Sequence, residues 1–353
     1  MSIFHPTFLL LSAGVSDAFL AGDLFNLFVG FEVLLAASFV LLTVGASEER
    51  VRAGIGYVIV SMVSSVIFLI GIALTYAATG TLNLAELANR LDGITPGTRA
   101  ALFAVLLVAF GIKAAVFPLS AWLPDSYPTA PAPVTAVFAG LLTKVGVYAI
   151  VRTQFLLFPD SPLHHLIMIA GLLTMLVGIL GAVAQPGIKR MLSFTLVSHI
   201  GYMLFGIGLA SELGLSSAIF YIAHHITVQT ALFLITGLIE RVGGSTVIDR
   251  LGGLAASTPV LAVLFFVPAM NLAGIPPFSG FVGKVGLLQA GAEDGSAVAW
   301  TLVVGSVVTS LLTLYAVAKT WSAAFWRPRA VEGQEQTFEM PALTPSFGRL
   351  SDA

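Results

Sequence analysis

Residues 109–152 read AFGIKAAVFPLSAWLPDSYPTAPAPVTAVFAGLLTKVGVYAIVR, and this stretch decides the fold. Two apolar segments, one with Lys113 and one with Lys144, flank a link that is rich in proline. Apolar runs of this kind predict helices that span a membrane. Pro118 should close the first helix, because proline removes a backbone donor and clashes with the preceding turn. The stretch therefore predicts a helix that is broken inside a membrane.

The composition of the whole chain also indicates a membrane protein. Hydrophobic residues make up 57% of the 353 residues and charged residues only 10%, against about 25% charged in soluble domains. So few charges cannot cover a surface that faces water, and lipid is the solvent that suits it. A net charge of −2 gives no basic excess for nucleic acid. The absence of cysteine excludes disulfides, thiolate zinc sites and iron–sulfur clusters of the usual kind.

Ten segments of the chain can span a membrane, since each has about 20 mostly apolar residues. They lie near 4–21, 23–44, 54–78, 100–118, 132–152, 163–184, 191–210, 214–239, 258–288 and 297–325. We therefore predict an all-α integral membrane protein, a single membrane domain over 1–353 with about ten transmembrane helices and a polar tail at 327–353.

The basic residues of the connecting loops predict the orientation, because cytoplasmic loops carry an excess of Lys and Arg. One set of loops carries eight such residues, at positions 50, 52, 189, 190, 241, 250, 327 and 329. The opposite set carries three, at positions 90, 99 and 152. Both ends of this chain are therefore expected in the cytoplasm.

Two of the predicted spans are interrupted by proline in a similar way. The fourth contains FGIKAAVFPLSAWLPD with Pro118, and the ninth contains NLAGIPPFSGFVGK with Pro276 and Pro277 in mid-span. Unwound backbone at membrane depth is tolerated where it is buried in protein or lines a wet cavity. The breaks are five spans apart, which indicates two inverted five-helix repeats, 4–157 and 163–326. Coincidence is the alternative, because proline is frequent in membrane helices.

A few ionisable residues fall at depth in the predicted spans, where a charge costs about 2.5–3.5 kcal/mol on insertion scales. Glu32, Lys113 and Lys144 lie in mid-span, and Lys284 follows the break in the ninth span. Glu32 can pair with a lysine, Lys113 before the others, which lowers the desolvation cost of both. Burial favours the neutral form of the remaining amines, so they can take up and release protons.

Histidines extend this set of residues. His224 and His225 lie in the eighth span, and His199 lies in the seventh. Imidazole exchanges protons near neutral pH, so amines and imidazoles joined by water would form a proton relay, and hydroxyls such as those of Ser65 and Tyr202 could help hold that water. Neighbouring residues on a helix point about 100° apart, so only one of the adjacent pair is expected to face the path. His199 could instead be a packing residue, and a histidine pair could ligate haem, although nothing nearby suggests cofactor attachment.

Two glycine-rich segments fail as nucleotide-binding motifs. GFVGKVG lacks the first glycine of a phosphate loop, which Phe278 replaces, and has Val285 where Ser or Thr is needed. GIGLAS ends in serine where a dinucleotide fingerprint requires Gly or Ala. We therefore expect no cofactor and no bound metal, and energy for pumping would come from an ion gradient or from partner subunits.

Three segments together resemble a known family. The opening stretch is similar to the antiporter-like membrane subunits of respiratory complex I, membrane hydrogenases and Mrp-type multisubunit cation/proton antiporters. GDLFNLFVGFEVLLAASFVLL and NLAGIPPFSGFVGK look most like the D-type subunit of the Mrp branch. The resemblance covers about 4–326 and implies a fourteen-helix fold with two inverted five-helix repeats. This chain would then lack the first three of those helices and the last.

The resemblance also implies roles for the buried residues. Glu32 matches the acidic partner of the family and Lys113 the lysine that it modulates, while Lys144 looks like the bridging lysine. The histidine pair falls on the helix that links two half-channels, and Lys284 looks like the terminal proton-exchanging residue.

The implied function is proton translocation by a membrane subunit of a multisubunit Na⁺/H⁺ antiporter in the plasma membrane, which is a transporter rather than an enzyme. Its partners would be other hydrophobic subunits and the lipid bilayer, and its cargo protons and monovalent cations. A proton-pumping subunit of an NADH:quinone oxidoreductase or hydrogenase is the alternative, since the two share nearly all local motifs. A scaffold of helices would not need three buried lysines.

Overall fold

The computed structural model describes residues 3–45 and 47–328, and this part of the chain is helical. Its α-helices are α1 (Phe4–Leu20), α2 (Leu24–Thr43), α3 (Glu48–Thr79), α4 (Leu84–Arg90), α5 (Pro96–Ala114), α6 (Trp122–Ser126), α7 (Ala132–Val137), α8 (Thr143–Leu156), α9 (His164–Val183), α10 (Ile188–Gly208), α11 (Glu212–Gly243), α12 (Leu254–Ser257), α13 (Pro259–Ala273), α14 (Ser279–Asp294) and α15 (Ala297–Trp321). The predicted polar tail lies, from residue 329 onward, outside the described residues.

Eight helical segments in the described ranges are long and apolar enough to span a membrane. They are Leu24–Thr43, Arg50–Thr79, Pro96–Ala114, Ala132–Leu156, His164–Val183, Ile188–Gly208, Glu212–Gly243 and Ala297–Trp326. Two further apolar helices, α1 and α13, have 17 and 15 residues. The prediction of an all-α, multi-pass membrane protein is confirmed.

The fourth predicted span ends before its proline. Helix α5 stops at Ala114, because Ala115 adopts a left-handed conformation with φ of 58° and its N–H bonds back to carbonyls of the last turn. Pro118 follows four residues later and disfavours helical geometry at Phe117. The N–H of Phe117 donates instead to the Thr174 hydroxyl at 3.0 Å. The break is therefore anchored to α9.

The ninth predicted span, 258–288, consists of two helices. Helix α13 ends at Ala273, because Gly274 turns the chain with a φ of 87°. Pro276 and Pro277 occupy the link, and α14 begins at Ser279. Helix breaks therefore lie near both predicted proline sites.

Helices α3 and α11 are copies of each other in length and in their ends. Each has 32 residues, begins after a serine whose hydroxyl caps the first turn, and ends before a left-handed glycine. The caps are Ser47 and Ser211, and the glycines are Gly80 and Gly244. Each second member lies 164 residues after the first. The same pair of helix ends therefore occurs twice in the chain, 164 residues apart.

The same offset governs how the neighbouring helices pack. Gly14 lies so close to α2 that an added Cβ would sit 2.6 Å from the Leu34 nitrogen. Gly178 lies equally close to α10, where the Cβ would sit 2.4 Å from the Ser198 nitrogen. Two isolated antiparallel bridges show the same offset. One joins Asp23 to Asn83, and the other joins Gly187 to Val247. The backbones of α1–α2 and α9–α10 thus touch at matching positions.

Replacing Gly178 with alanine is expected to destabilise the protein by about 1–3 kcal/mol, because a methyl group has no room between the two backbones. Gly56→Ala is the matched control, since Gly56 also lies in a helix but an added Cβ would meet nothing within 4 Å. Thermal unfolding of the purified protein measures both variants. Equal unfolding temperatures for the two would contradict the close contact of α9 and α10.

Contacts between the loops show which loops lie at the same end of the helix bundle. At one end Arg190 pairs with Asp125 at 2.8 Å and Lys189 with Glu240 at 2.7 Å. We call this the basic end, which carries Arg50, Arg52, Lys189, Arg190, Arg241, Arg250 and Arg327. At the opposite end the loop after α1 joins the loop after α3 through a backbone hydrogen bond of 3.0 Å.

Candidate functional site

The first buried charges form a bridged pair. The hydroxyl of Ser65, on α3, donates to the Glu32 carboxylate on α2. The ammonium of Lys113, one residue before the end of α5, donates to the same hydroxyl at 3.1 Å. In the structure Glu32 and Lys113 therefore interact through Ser65, rather than by direct contact. Three helices meet at this point, and a proton could pass between acid and amine along two hydrogen bonds.

The surroundings of Lys113 combine an aromatic ring with a small cavity. Its nitrogen lies 4.8 Å from the centroid of the Phe31 ring, which favours a cation. A cavity of about 30 Å³ borders the lysine, together with Tyr57 and Ser61. This volume suffices for a single water molecule. Lys113 is thus placed to exchange protons with water as well as with its serine partner.

Lys144 is held at an irregularity in its own helix. The segment Phe138–Leu142, between α7 and α8, is a π-helix, which frees carbonyl groups from the usual pattern. Lys144 is 1% exposed, and its ammonium donates to the Ala139 carbonyl at 2.5 Å. Its helix lies directly against the end of α5, where a Cβ on Gly146 would sit 2.7 Å from the Ala114 nitrogen. Lys144 therefore lies deep in protein, on a helix that touches the first buried pair.

The histidines form an aromatic cluster between α10 and α11. The His225 and His199 rings are 5.1 Å apart between centroids, and both residues are 0% exposed. The Tyr221 hydroxyl contacts Nδ1 of His199 at 2.7 Å. Nε2 of His199 and both nitrogens of His225 have no hydrogen-bond partner among the described residues. Such buried nitrogens need water, because an unsatisfied polar atom is costly.

His224 points toward the second helix break. Its Nδ1 lies 3.0 Å from the hydroxyl of Ser279, the first residue of α14. The Asn271 side chain accepts from Ser279 at 3.3 Å and from the backbone N–H of Gly280 at 2.8 Å, which ties the two half-helices together. His225 packs against His199, whereas His224 contacts Ser279 of α14, so the two adjacent histidines face different neighbours. Which of the two faces a proton path stays a prediction.

Lys284 sits against the end of the broken helix. Its ammonium donates to the carbonyls of Leu272 and Ala273, at 3.2 and 2.8 Å, which α13 leaves free where it stops. The nitrogen also lies 5.0 Å from the centroid of the Tyr202 ring. A Cβ on Gly274 would sit 2.8 Å from Cδ of the lysine. The break in α13–α14 thus supplies the acceptor site that keeps this amine in place.

The structure places the predicted residues in four separate stations, which are Glu32 with Lys113, Lys144, the histidine cluster, and Lys284. Within the described ranges no hydrogen bond joins Lys113 to Lys144, or Lys144 to His225. Sequence reasoning named Ser65 and Tyr202 only as hydroxyls that could hold water, and it missed Tyr221, Ser279 and Asn271. Tyr221 lies one turn before the adjacent histidines, which was an available signal, whereas Ser279 and Asn271 lie on other helices. No group of three or more His, Asp or Glu in the described residues could hold a metal ion.

Replacing Ser65 with alanine is expected to lower proton transport about tenfold, because a hydrogen bond to a charged group is worth about 1.5–3 kcal/mol. Ser64→Ala is the matched control, since the neighbouring Ser64 hydroxyl donates only to the Ala109 carbonyl, at 2.8 Å. Proton movement into vesicles that contain the complex measures both. Equal losses in the two variants would mean that the bridge has no special role.

This chain matches a known protein family over most of its length. The family "NADH:quinone oxidoreductase/Mrp antiporter, TM" matches residues 21–313. The chain belongs to this family. The match includes the bridged pair, both helix breaks and the histidine cluster, and it confirms the resemblance predicted from the sequence.

Curated relatives in the family carry antiporter names. The D-type subunit of the Na(+)/H(+) antiporter of Alkalihalophilus pseudofirmus is 44% identical over 96% of this chain and 69% of its own length. The protein of the same name from Bacillus subtilis is 38% identical over 100% of this chain and 70% of its own length. These relatives are components of antiporters, not enzymes.

Two solved structures of family members have the same fold. A chain of the Mrp complex from a Dietzia species superposes with a TM-score of 0.87 at 42% identity, over 92% of this chain. A chain of an archaeal membrane-bound sulfane sulfur reductase superposes with a TM-score of 0.86 at 28% identity, over 93% of this chain. This chain spans 61% of the Dietzia chain and 68% of the archaeal chain.

Proposed function

We propose that the chain is the proton-translocating subunit of a multisubunit Na⁺/H⁺ antiporter of the Mrp type. The observation that carries the proposal is the series of buried titratable side chains between the two helix breaks. A membrane protein retains such residues only at a cost of several kcal/mol, and they mark ion and proton pathways. The names of the relatives and the fold of the Dietzia complex support the cation antiport to which this movement is coupled.

Each station in this relay changes between a charged and a neutral form. Lys113 passes a proton to or from Glu32 through Ser65, while Lys144 and Lys284 hold theirs against backbone carbonyls. A charge on one station changes the energy of a charge on the next, so protons move in sequence. His199, His224 and His225 would carry protons between the lysines with the help of water.

We further propose ten crossings of the membrane, arranged as two inverted five-helix repeats, 4–157 and 163–326. The offset of 164 residues between caps, glycine contacts and bridges supports two copies of one unit. The bridge at Asp23 lies away from the basic end, whereas the bridge at Gly187 lies beside Lys189 and Arg190, at that end. Equivalent bridges at opposite ends are the signature of an inverted repeat.

The basic end faces the cytoplasm in this proposal, because cytoplasmic loops carry the excess of Lys and Arg. Both ends of the chain, the polar tail included, would then lie on the cytoplasmic side of the plasma membrane. Other hydrophobic subunits would cover parts of the exposed apolar helix faces, and lipid would cover the rest.

A redox-driven complex is the second candidate, because the archaeal sulfane sulfur reductase contains a chain of the same fold. In a complex of that kind our chain would still move only protons, and partner subunits would carry the electrons. Sequence identity favours the antiporter, because this chain is 42% identical to the Dietzia chain and 28% identical to the archaeal chain.

The experiment is to purify the complex that contains this chain, identify its other subunits, and reconstitute it in liposomes. A Na⁺ gradient alone should drive proton movement that a pH-sensitive dye reports. Co-purification of flavin and iron–sulfur subunits, with no response to Na⁺, would replace the antiporter by the redox-driven complex.

A further inference from the structure

A broad, open cleft lies at the basic end between α3 and α6. It has a volume of about 780 Å³. One wall is a stripe of α3 that includes Glu48, Arg52 and Gly56, and the other is α6 with Trp122 and Asp125. Three of these side chains are charged, although most of the lining is apolar. Charged groups lose several kcal/mol when dry, so we expect these three to hold water in the cleft.

A second, much smaller cavity lies beside the cleft, between α2, α3, α5 and Trp122. It is the cavity of about 30 Å³ that borders Lys113, and Tyr57 and Ser61 also line it. Trp122 lines both the cleft and this cavity. On α3 the cleft is lined by Gly56 and Val60 and the cavity by Tyr57 and Ser61, so the two spaces lie on neighbouring faces of the same helix turns. The indole ring of Trp122 therefore forms part of the wall between the cleft and the cavity that borders Lys113.

The contacts of Trp122 hold it in this closed position. Its Nε1–H donates to the carbonyl of Ile112 at 3.0 Å, and Ile112 directly precedes Lys113 in the last turn of α5. The ring also packs on Tyr57, with centroids 5.4 Å apart. The Ile112 carbonyl also accepts the N–H of Ala115 at the break, so the anchor of the indole and the lysine belong to one turn. Movement of that turn would move both.

We propose that Trp122 is the gate between the cleft and Lys113, and that the cleft is the water-filled entrance for protons at the basic end. The proposal rests on the proposed proton path. Opening requires the indole to leave its bond to Ile112 and swing into the cleft, which has room for it. Trp122 is a positioning residue that controls access and carries no proton itself.

The chain contains no cysteine, which suits it to a test with introduced thiols. Ser61→Cys places a thiol in the cavity behind the indole, and Gly56→Cys places one in the cleft in front of it. Each is made in the assembled complex, with Trp122 intact, with W122A and with W122F. A membrane-impermeant maleimide is added to vesicles whose basic end faces outward, and labelling of this chain is followed over time.

With Trp122 intact, we expect the thiol at position 56 to react readily and the thiol at position 61 to be protected. W122A should speed labelling at position 61 by about tenfold or more, because thiol reactivity follows access to water. W122F should keep the protection, and position 56 should react alike in all backgrounds. Equal labelling of both positions with Trp122 intact would overturn the gate, even if W122A failed to assemble.

Continued protection of position 61 in an assembled W122A complex, or loss of protection in W122F, would also overturn the proposal. Labelling is independent of transport, so these results separate the gate from the function. A complex that shows the expected labelling but no proton movement would refute the relay and leave the gate standing. Proton movement with the wrong labelling pattern would do the reverse.

Discussion

Lys284→Ala is expected to abolish cation-driven proton transport, with a loss of about a hundredfold or more, since a positioned proton-transfer group contributes about 10²–10⁴ in rate. The amine is 6% exposed and sits between the end of α13 and the Tyr202 ring. Alanine removes the amine that, in the proposed relay, exchanges the proton at the second break. Proton movement into liposomes that contain the purified complex measures the effect.

Lys319→Ala is the matched control for this variant. Lys319 is also a lysine near a helix end, but it is exposed and donates to the Val183 carbonyl at 3.2 Å, outside the series of stations. We expect normal transport from it. Wild-type rates in assembled Lys284→Ala complexes would show that protons do not pass through Lys284.

Lys144→Met is expected to stop transport and yet leave the protein at least as stable as before. Methionine nearly preserves the volume of the side chain, and a buried charge replaced by an apolar group is often neutral or stabilising. Lys144 is 1% exposed, and among the described residues it forms no ion pair within 4.0 Å. Opposite changes in transport and in stability are the mark of a residue kept for function.

Transport and thermal unfolding of the complex are measured together for Lys144→Met. A structural role would produce the other pattern, with lowered stability and transport reduced only as far as the protein unfolds. That result would remove Lys144 from the relay. Lys144→Arg adds a second check, since arginine keeps the charge but does not release its proton. Normal transport in that variant would show that a fixed charge suffices.

The sequence was sufficient to predict the membrane class and most spans, because long apolar runs leave the chain no other solvent. It placed the end of α5 at Pro118, however, and the helix stops at Ala114. A left-handed alanine has no strong local signature, and it forms here because Thr174 of α9 receives the freed N–H of Phe117. Gly274, by contrast, is a residue type that turns such corners readily, and the second break fell where proline and glycine predict it.

The sequence predicted which charged residues form the candidate site, but it did not predict their hydrogen-bond partners. A buried lysine is visible in a sequence, because its cost in lipid makes it an exception. Its hydrogen-bond partners are backbone carbonyls and single hydroxyls from other helices, which no pattern along the chain reveals. Glu32 and Lys113 could be paired from their sequence, but Ser65 between them depends on the packing of α3 against both helices.

The cleft has an electrical consequence. Its α3 wall runs from Glu48 to Val60, about 18 Å of helix at 1.5 Å per residue. In the proposed orientation, water in the cleft would carry the potential of the cytoplasmic side inward as far as the indole, and the membrane voltage would fall over the shorter, dry part of the bundle. Each elementary charge that crosses this part would gain about 2.3 kcal/mol per 100 mV. The proposed relay would then lie in a concentrated field, and the rate of proton transfer should depend on voltage more steeply than full bilayer thickness implies.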